Sequence, residues 1–235
     1  MFDLKISEGF EYLVGSDEVG RGCLAGPVVC CSVIVDGHSN LKTVLKYLKD
    51  LRVTDSKKLS PKKMREINNK LFGDCFCELV GKAKISNVYN YYNTLDASLG
   101  LRACISTISP KFIDNKNILN ASLYGMRTSG EKLVQPISNQ KGIWLVDGNA
   151  VWRKSKSIKC DVIPVISGDS KSLLIGASSI IAKDFRDSLM KRVSIKYPGY
   201  GLDCHFGYPT KHHKSALKKL GSSPIHRKSF RGVTQ

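Results

Sequence analysis

Asp17 and Glu18 end a strand-like run and meet a glycine-rich turn, Gly20-Arg21-Gly22, with the apolar segment 27–35 directly after it. Two further acids are placed in a comparable way. Asp147 closes the apolar run Gly142-Ile-Trp-Leu-Val, and Asp169 sits in Gly168-Asp-Ser-Lys, just ahead of a long helical pattern. Crowded carboxylates repel one another, and a divalent ion relieves that repulsion while leaving coordination sites for water and substrate oxygens. If the strands ending at Asp17 and Asp147 are neighbours, both side chains emerge at one sheet edge. Two ions about 3.5–4 Å apart could there activate an attacking water and stabilise a departing oxygen. Adjacent residues in a regular strand point to opposite faces, so Asp17 and Glu18 share a metal region only if the strand breaks near Glu18. The glycines at 20 and 22 permit such a break. Residue types alone leave plainer alternatives open. An isolated Asp-Glu pair is usually a solvated surface feature, and an Asp ahead of a helix is about as often a cap.

These acids belong to a basic chain. Its 235 residues carry 37 Lys and Arg against 20 Asp and Glu, a formal net charge of +17. Asp3, Glu8, Glu11, Asp17 and Glu18 crowd the first twenty residues, whereas no acid follows Asp203. Beyond Asp203 lie Lys211, Lys214, Lys218, Lys219, Arg227, Lys228 and Arg231, and a second basic run is Arg153, Lys154, Lys156 and Lys159. An acidic focus within a basic surface suits a metal-assisted nuclease, in which cations hold the phosphate backbone and carboxylates hold the metal. Lysine-rich surfaces also arise from solubility or genomic composition, and charge alone does not choose between the two. The N-terminus shows no basic and apolar signal pattern, and no apolar stretch is long enough to span a membrane. The eight cysteines form no CxxC pair, and several fall in apolar runs, as expected of buried reduced thiols in a cytoplasmic protein.

The elements that must position the acids follow from periodicity. Residues 10–17 and 27–35 read as strands joined by the Gly20–Gly26 loop, 75–85 as a third strand, 142–147 as a fourth and 158–166 as a fifth. Ser60-Pro61 starts a helix with Met64, Ile67 and Leu71 on one face. A helical stripe of Val88, Tyr91, Tyr92, Leu95 and Leu99 predicts a helix over 87–108, and Asp114 is placed to cap one over 116–128. Leu174, Ala177, Ile181, Phe185 and Leu189 face inward on a long helix over 172–196. Thr210 caps a last helix, closed by Gly221. Segments 93–99 and 117–123 look alike, either as a partial duplication or as a chance match between two helices. Strands interleaved with helices predict an α/β fold around one central mixed five-stranded sheet, with a C-terminal helical extension. The 235 residues fit one large domain: a catalytic part over 1–196 and a basic helical segment over 197–235 packed on it.

At these residues the chain resembles the ribonuclease HII family. The windows are Gly15-Ser-Asp-Glu-Val-Gly-Arg-Gly22 and its continuation to Val29, Thr54-Asp-Ser-Lys-Lys-Leu-Ser60, Ile113-Asp-Asn-Lys-Asn-Ile-Leu119 and Leu145-Val-Asp-Gly-Asn149. Next are Gly168-Asp-Ser-Lys-Ser172 running into Ala177-Ser-Ser-Ile-Ile-Ala-Lys183 and Arg186-Asp187, then Tyr197-Pro-Gly-Tyr-Gly201, His205-Phe-Gly-Tyr-Pro-Thr210 and Ser223-Pro-Ile-His-Arg-Lys-Ser-Phe230. They occur in family order from about residue 11 to 230. The resemblance implies an RNase H-like fold, cleavage of the RNA strand of RNA–DNA hybrids, and incision on the 5′ side of ribonucleotides embedded in duplex DNA. It implies Mn²⁺ or Mg²⁺ as cofactor, with Asp17, Glu18, Asp147 and Asp169 as metal-binding and catalytic carboxylates. It also implies contact of Gly20, Arg21 and Gly22 with the 2′-hydroxyl at the RNA–DNA junction, and packing of Tyr208 on the following deoxyribose. Lys57 and Ser172 would touch backbone phosphates, and the protein would act as a monomer. Cys23 stands where the family commonly has proline, and Phe206 where lysine is common, which removes one phosphate contact near Tyr208. Residues 38–50 and 87–110 read as insertions. Other readings are a branched-DNA nuclease of the same fold and a non-catalytic hybrid-binding protein. The latter would not need all four acids.

Overall fold

The computed structural model describes residues 1–73, 75–152 and 159–233. The basic run at Arg153, Lys154 and Lys156 lies outside the described residues. Among the described residues six strands form one sheet: β1 (Tyr12–Val19), β2 (Val28–Asp36), β3 (Tyr89–Asp96), β4 (Leu101–Ile108), β5 (Gly142–Asp147) and β6 (Cys160–Val165). Their spatial order is β3-β4-β2-β1-β5-β6. The β1–β2, β2–β4 and β3–β4 pairs are antiparallel, and β1–β5 and β5–β6 are parallel. The helices are α1 (Phe2–Ile6), α2 (His38–Asp50), α3 (Pro61–Phe72), α4 (Cys75–Lys82), α5 (Pro110–Lys116), α6 (Ile118–Val134), α7 (Gly168–Lys171), α8 (Leu173–Lys196), α9 (Leu202–His205) and α10 (Lys211–Leu220).

The sheet carries two apolar layers because its strands alternate. Leu13, Val33, Leu145 and Ile105 face α8, whose Leu174, Ala177, Ile181, Phe185 and Leu189 are fully buried. Val14, Cys30, Ile34 and Trp144 face α6. Helix α8 passes so close to β1 that a Cβ at Gly15 would overlap Leu174, and Ser178 Oγ donates to the Gly15 carbonyl at 2.8 Å. On the other face, Trp144 Nε1 donates to Ser16 Oγ at 2.7 Å. Ser16, Ser32 and Ser129 hydroxyls then link β1, β2 and α6 at 2.6 and 2.7 Å. A buried polar chain satisfied in this way fixes strand register as well as packing.

Two expected elements are exchanged. Residues 75–82 are helical, not a strand. Phe76, Leu79, Val80 and Ala83 have the i, i+3, i+4, i+7 spacing of a helix face, and Phe76 packs edge-on against Phe72 and Phe185. The predicted helix over 87–108 is the β3–β4 hairpin, which raises the strand count from five to six. Its Tyr/Asn/Thr-rich first arm alternates between half-buried and exposed positions. Its turn is held by Asp96 Oδ1, which accepts from Ser98 Oγ and Leu99 N, and by Gly100 at φ 61°. Segments 93–99 and 117–123 therefore adopt different structures, the first strand and turn, the second helix. Ser109 and Asn117 cap α5 and α6. Asp114 caps neither; it lies inside α5 and accepts from Lys228 N and Ser229 N at 3.0 and 2.9 Å.

Tyr200, Leu202, Ala216, Leu217, Ile225 and Val233 share one apolar cluster with α8 and the sheet. Among the described residues no helix is long and apolar enough to cross a membrane, and all eight cysteines are free thiols.

Candidate active site

Asp17 and Asp147 are brought together by the central parallel pair. The register of β1 on β5 runs from Tyr12 with Gly142 to Ser16 with Val146, so the next residues on the two strands are Asp17 and Asp147. Residues level in a parallel ladder share a face, and neighbouring strands lie about 4.8 Å apart. Leu13 and Leu145, which are in phase with these acids, belong to the α8 layer, and that is the face to which both carboxylates turn. Asp147 Oδ1 accepts from Gly168 N at 2.6 Å, which draws the start of α7 against the end of β5. Asp17 is only 6% exposed. Burial first, then the charges of Glu18 and Asp147, push its carboxyl well above the ordinary range, against partial relief from Ser179 and the Glu18 N–H.

Strand β1 does not break at Glu18. It stays paired with β2 through Val19, and Glu18 lies opposite Cys30. Glu18 is therefore carried on the opposite face from Asp17, a correction to the expected kink and to the condition set on it: the strand stays intact, and the Glu18 carboxyl comes within range of the Asp147 charge from the other face, at the end of the sheet. Its carboxyl still feels Asp147: burial raises it most, the Arg21 guanidinium lowers it, and Asp147 raises it again. Arg21 Nη1 reaches Glu18 Oε1 at 3.2 Å, while Glu18 Oε2 is buried without a hydrogen-bond partner.

Asp169 is buried in the first turn of α7, and its side chain makes no cap. Burial raises its carboxyl first, then the charges of Asp55 and Asp147, and Lys57 opposes them. Lys57 Nζ stands 3.5 Å from Asp169 Oδ2 on a side chain that is 83% exposed. Lys57 arrives through the Thr54–Ser60 window, where Asp55 Oδ1 accepts from Lys57 N and Ser56 Oγ meets Ser179 Oγ at 2.9 Å. Ser172 is not presented to a substrate. It is 2% exposed, and its Oγ caps α8 by accepting from Ile175 N. Ser56 and Ser179, which link the 54–60 window to Asp17, fall inside the motif windows, yet the sequence reading gives neither a role. Ser179 lies seven positions after Ser172, on the same helix stripe, and that spacing is the signal for it.

The Gly20–Gly26 loop rests on two buried arginines. Arg186 donates from Nε to Pro27 O at 3.0 Å, from Nη2 to Ala25 O at 3.1 Å and from Nη1 to Phe206 O at 2.9 Å. Arg227 donates from Nε to Gly26 O at 3.0 Å and from Nη1 to Arg21 O at 2.9 Å. Both are fully buried, so Arg227, which in sequence stands among the C-terminal cations of a basic surface, is not on that surface. Burial and then the neighbouring Arg186 charge lower Arg227 to about 9. Gly22 is open on its Cβ side, and the Arg21 side chain is 51% exposed beside it. Tyr208 is half-buried across the same loop: Leu24 N donates to Gly207 O at 2.8 Å, and Lys183 Nζ and Arg186 Cζ lie 5.5 and 5.8 Å from the Tyr208 ring centre.

Among the described residues no three acidic, histidine or cysteine side chains already converge as a closed ligand set. Glu18 is paired with Arg21, Asp169 with Lys57, and Asp147 with Gly168 N. The donor set nonetheless fits a hard divalent cation. It is all carboxylate, three of its members are held above their ordinary range, and one buried oxygen, Glu18 Oε2, lacks a partner.

The sequence pattern of the family described as Ribonuclease HII matches residues 14–233. A ribonuclease HII of Ruminiclostridium cellulolyticum is 37% identical over 225 residues, which cover 96% of this chain and 72% of that protein. The ribonuclease H2 of Pyrococcus horikoshii OT3 superposes with a TM-score of 0.60 at 24% identity, over 94% of this chain and 95% of that one. Bst ribonuclease HIII, solved in complex with Mn²⁺, gives a TM-score of 0.57 at 15% identity, over 98% of this chain and 70% of that one. With the family pattern spanning almost every residue from β1 to the C-terminal segment, the chain belongs to the ribonuclease HII family.

Proposed function

We propose that this endonuclease hydrolyses the RNA strand of RNA–DNA hybrids, and also incises at single ribonucleotides in duplex DNA, leaving 3′-hydroxyl and 5′-phosphate ends. The observation that carries the reading is the side-by-side placement of Asp17 and Asp147 on one face, at the C-terminal ends of two parallel strands. Asp17, Glu18, Asp147 and Asp169 would hold Mn²⁺ or Mg²⁺. When bound, the cation supplies Lewis-acid activation of water and neutralisation of charge at the phosphate.

The chain's own residues do the rest. With Glu18 and Asp169 turned to a cation, the Arg21–Glu18 and Lys57–Asp169 pairs would open and leave both basic side chains for backbone phosphates. The fork of Arg21 holds a phosphate with directed donors, and Lys57 holds one as a point charge. The 2′-hydroxyl distinguishes RNA from DNA and lies in the open minor groove of a hybrid. The main chain of Gly20 and Gly22 can approach it because neither carries a side chain. Tyr208 stacks on the deoxyribose that follows, where an added hydroxyl would clash. Residues 1–196 carry the acids, and 197–235 form a basic flank of the same unit. The protein acts as a monomer in the cytoplasm.

The test is to map cut positions on a duplex with one embedded ribonucleotide, with and without Mn²⁺. Incision 5′ to the ribonucleotide, only with the cation, is expected. Absence of cleavage, or preference for branched all-DNA substrates, would overturn the reading.

A further inference from the structure

Three histidines surround the main chain of the 205–208 turn, and their partners fix the tautomer of each. His213 Nδ1 lies 3.0 Å from the Tyr208 carbonyl oxygen. A carbonyl only accepts, so Nδ1 carries the proton and Nε2 of His213 is an acceptor. That Nε2 lies 3.1 Å from His226 Nε2, which must then be the donor. His226 Nδ1 is left to accept, and it does so from Ser223 N at 3.0 Å and Ser223 Oγ at 2.8 Å. His205 is fixed in the same way: Nε2 lies 2.7 Å from Tyr200 O, and Nδ1 accepts from Gly207 N. Its ring stacks on His213 with centres 4.5 Å apart.

The donors therefore run in one direction, from Ser223 N–H through His226 and His213 to the carbonyl of Tyr208. The pattern holds only with both rings neutral, because a second proton on His213 would set two N–H groups against each other. His213 and His226 are 0% and 1% exposed, and burial favours their neutral forms. Tyr208 is also held by its own N–H, which donates to His205 O at 2.9 Å, and by Thr210 N, which donates to its carbonyl at 2.8 Å. Thr210 Oγ1 accepts from His213 N, so the ring of His213 and the carbonyl it grips belong to one closed turn.

We propose that His213 and His226 are positioning residues for junction recognition: their one-way relay fixes the Tyr208 main chain and so sets the angle at which the Tyr208 ring meets the sugar. The proposal rests on the role of Tyr208 given above. A packing role alone would need bulk at position 213 but not a donor at Nδ1.

Two variants separate these roles. In His213→Asn the side-chain amide N–H takes the place of Nδ1 and still reaches Tyr208 O, whereas His213→Gln can reach His226 but removes the side-chain donor from Tyr208 O and leaves it only the Thr210 N–H. We expect His213→Gln to lose about tenfold in kcat/KM on a single-ribonucleotide duplex relative to a long hybrid, the scale of one lost hydrogen bond. His213→Asn should keep the wild-type ratio of the two substrates. Equal ratios in both variants would overturn the positioning role. Tyr208→Ala run alongside separates the two claims: without a selective loss there, the junction reading of Tyr208 fails first and the functional part of the proposal with it. Imidazole ¹⁵N spectra at neutral pH judge the relay independently of activity. Nδ1–H at His213 and Nε2–H at His226 are expected, and the opposite tautomer at either would overturn it.

Discussion

Gly20 lies directly over the guanidinium of Arg186, so closely that a Cβ at position 20 would overlap Nε, Cδ and Cζ. The turn that carries the Gly-Arg-Gly segment is therefore seated on a buried cation rather than suspended in solvent. Arg186 holds Ala25 and Pro27 by their carbonyls, and Arg227 holds Arg21 and Gly26. Arginine suits this task because its planar fork satisfies several carbonyls at fixed angles. Gly20 is further constrained by φ 91°, a conformation that L-residues avoid.

Gly20→Ala combines that strain with the overlap, and we expect a loss of about 1–3 kcal/mol of stability. Gly22→Ala meets nothing within 4 Å and should cost less than about 1 kcal/mol. Urea unfolding of the two variants checks this; equal stabilities would show that the loop is not braced from below.

Asp147→Asn should abolish cleavage, by roughly 100-fold or more, while sparing most hybrid binding. The same variant should lose the rise in Tm that Mn²⁺ gives the wild-type protein, because an ion that binds only the native state stabilises it. Steady-state cleavage and a thermal melt with and without Mn²⁺ measure both. An unchanged Mn²⁺ shift would remove Asp147 from the ligand set.

Much of this arrangement was legible from residue order. The strand ending in Asp147 announced itself as an apolar run stopped by an acid, the strand carrying Asp17 was placed but runs two residues further, to Val19, and the inward stripe of α8 was visible as Leu174, Ala177, Ile181, Phe185 and Leu189. Ser60-Pro61 and the Thr210–Gly221 pair marked helix ends correctly, because capping is local chemistry. What failed depended on tertiary contacts. Tyr91, Tyr92 and Leu95 happen to fall at helical spacing, but the open edge of β4 pairs with that segment and makes it a strand. Arg227 reads as one more C-terminal cation because nothing local signals that its partners are carbonyls of a distant loop. Ser172 looked available beside Asp169, yet the N-terminus of α8 uses its hydroxyl as a cap.

Acid should weaken the fold through the histidines. Burial first, and then the neighbouring His213, lower His226 to about 4 from an ordinary 6.5, and burial also lowers His205 and His213. A group lowered on folding contributes stability that is complete above its unfolded pKa and is lost as pH falls toward the folded one. The window for His226 is therefore about pH 6.5 down to about 4, with a loss on the order of 3 kcal/mol at about 1.4 kcal/mol per unit. Asp17, Glu18 and Asp169 are raised on folding and act in the opposite sense, gaining stability as pH falls. Comparison with His226→Gln isolates the imidazole. Its stability curve should be flatter by up to one proton across this window, and parallel curves would refute the assignment.

A chain ended at residue 196 should not fold stably. The carbonyls of Gly207 and Ile225 accept from Leu24 N and Gly26 N, and Arg227 N donates to Leu24 O. Removing the C-terminal segment leaves those loop groups without partners, each at a cost of about 1–3 kcal/mol. It also strips Tyr200, Leu202, Leu217 and Ile225 from the apolar layer over α8, and removes Phe206 O and Arg227 from beside Arg186. Typical domains hold only about 5–15 kcal/mol in total, so these losses together are enough to unfold the remainder. Circular dichroism and a urea titration of the shortened chain test this. A cooperative transition close to that of the full chain would mean that residues 1–196 form an independent domain, and the basic segment would then be a separable appendage.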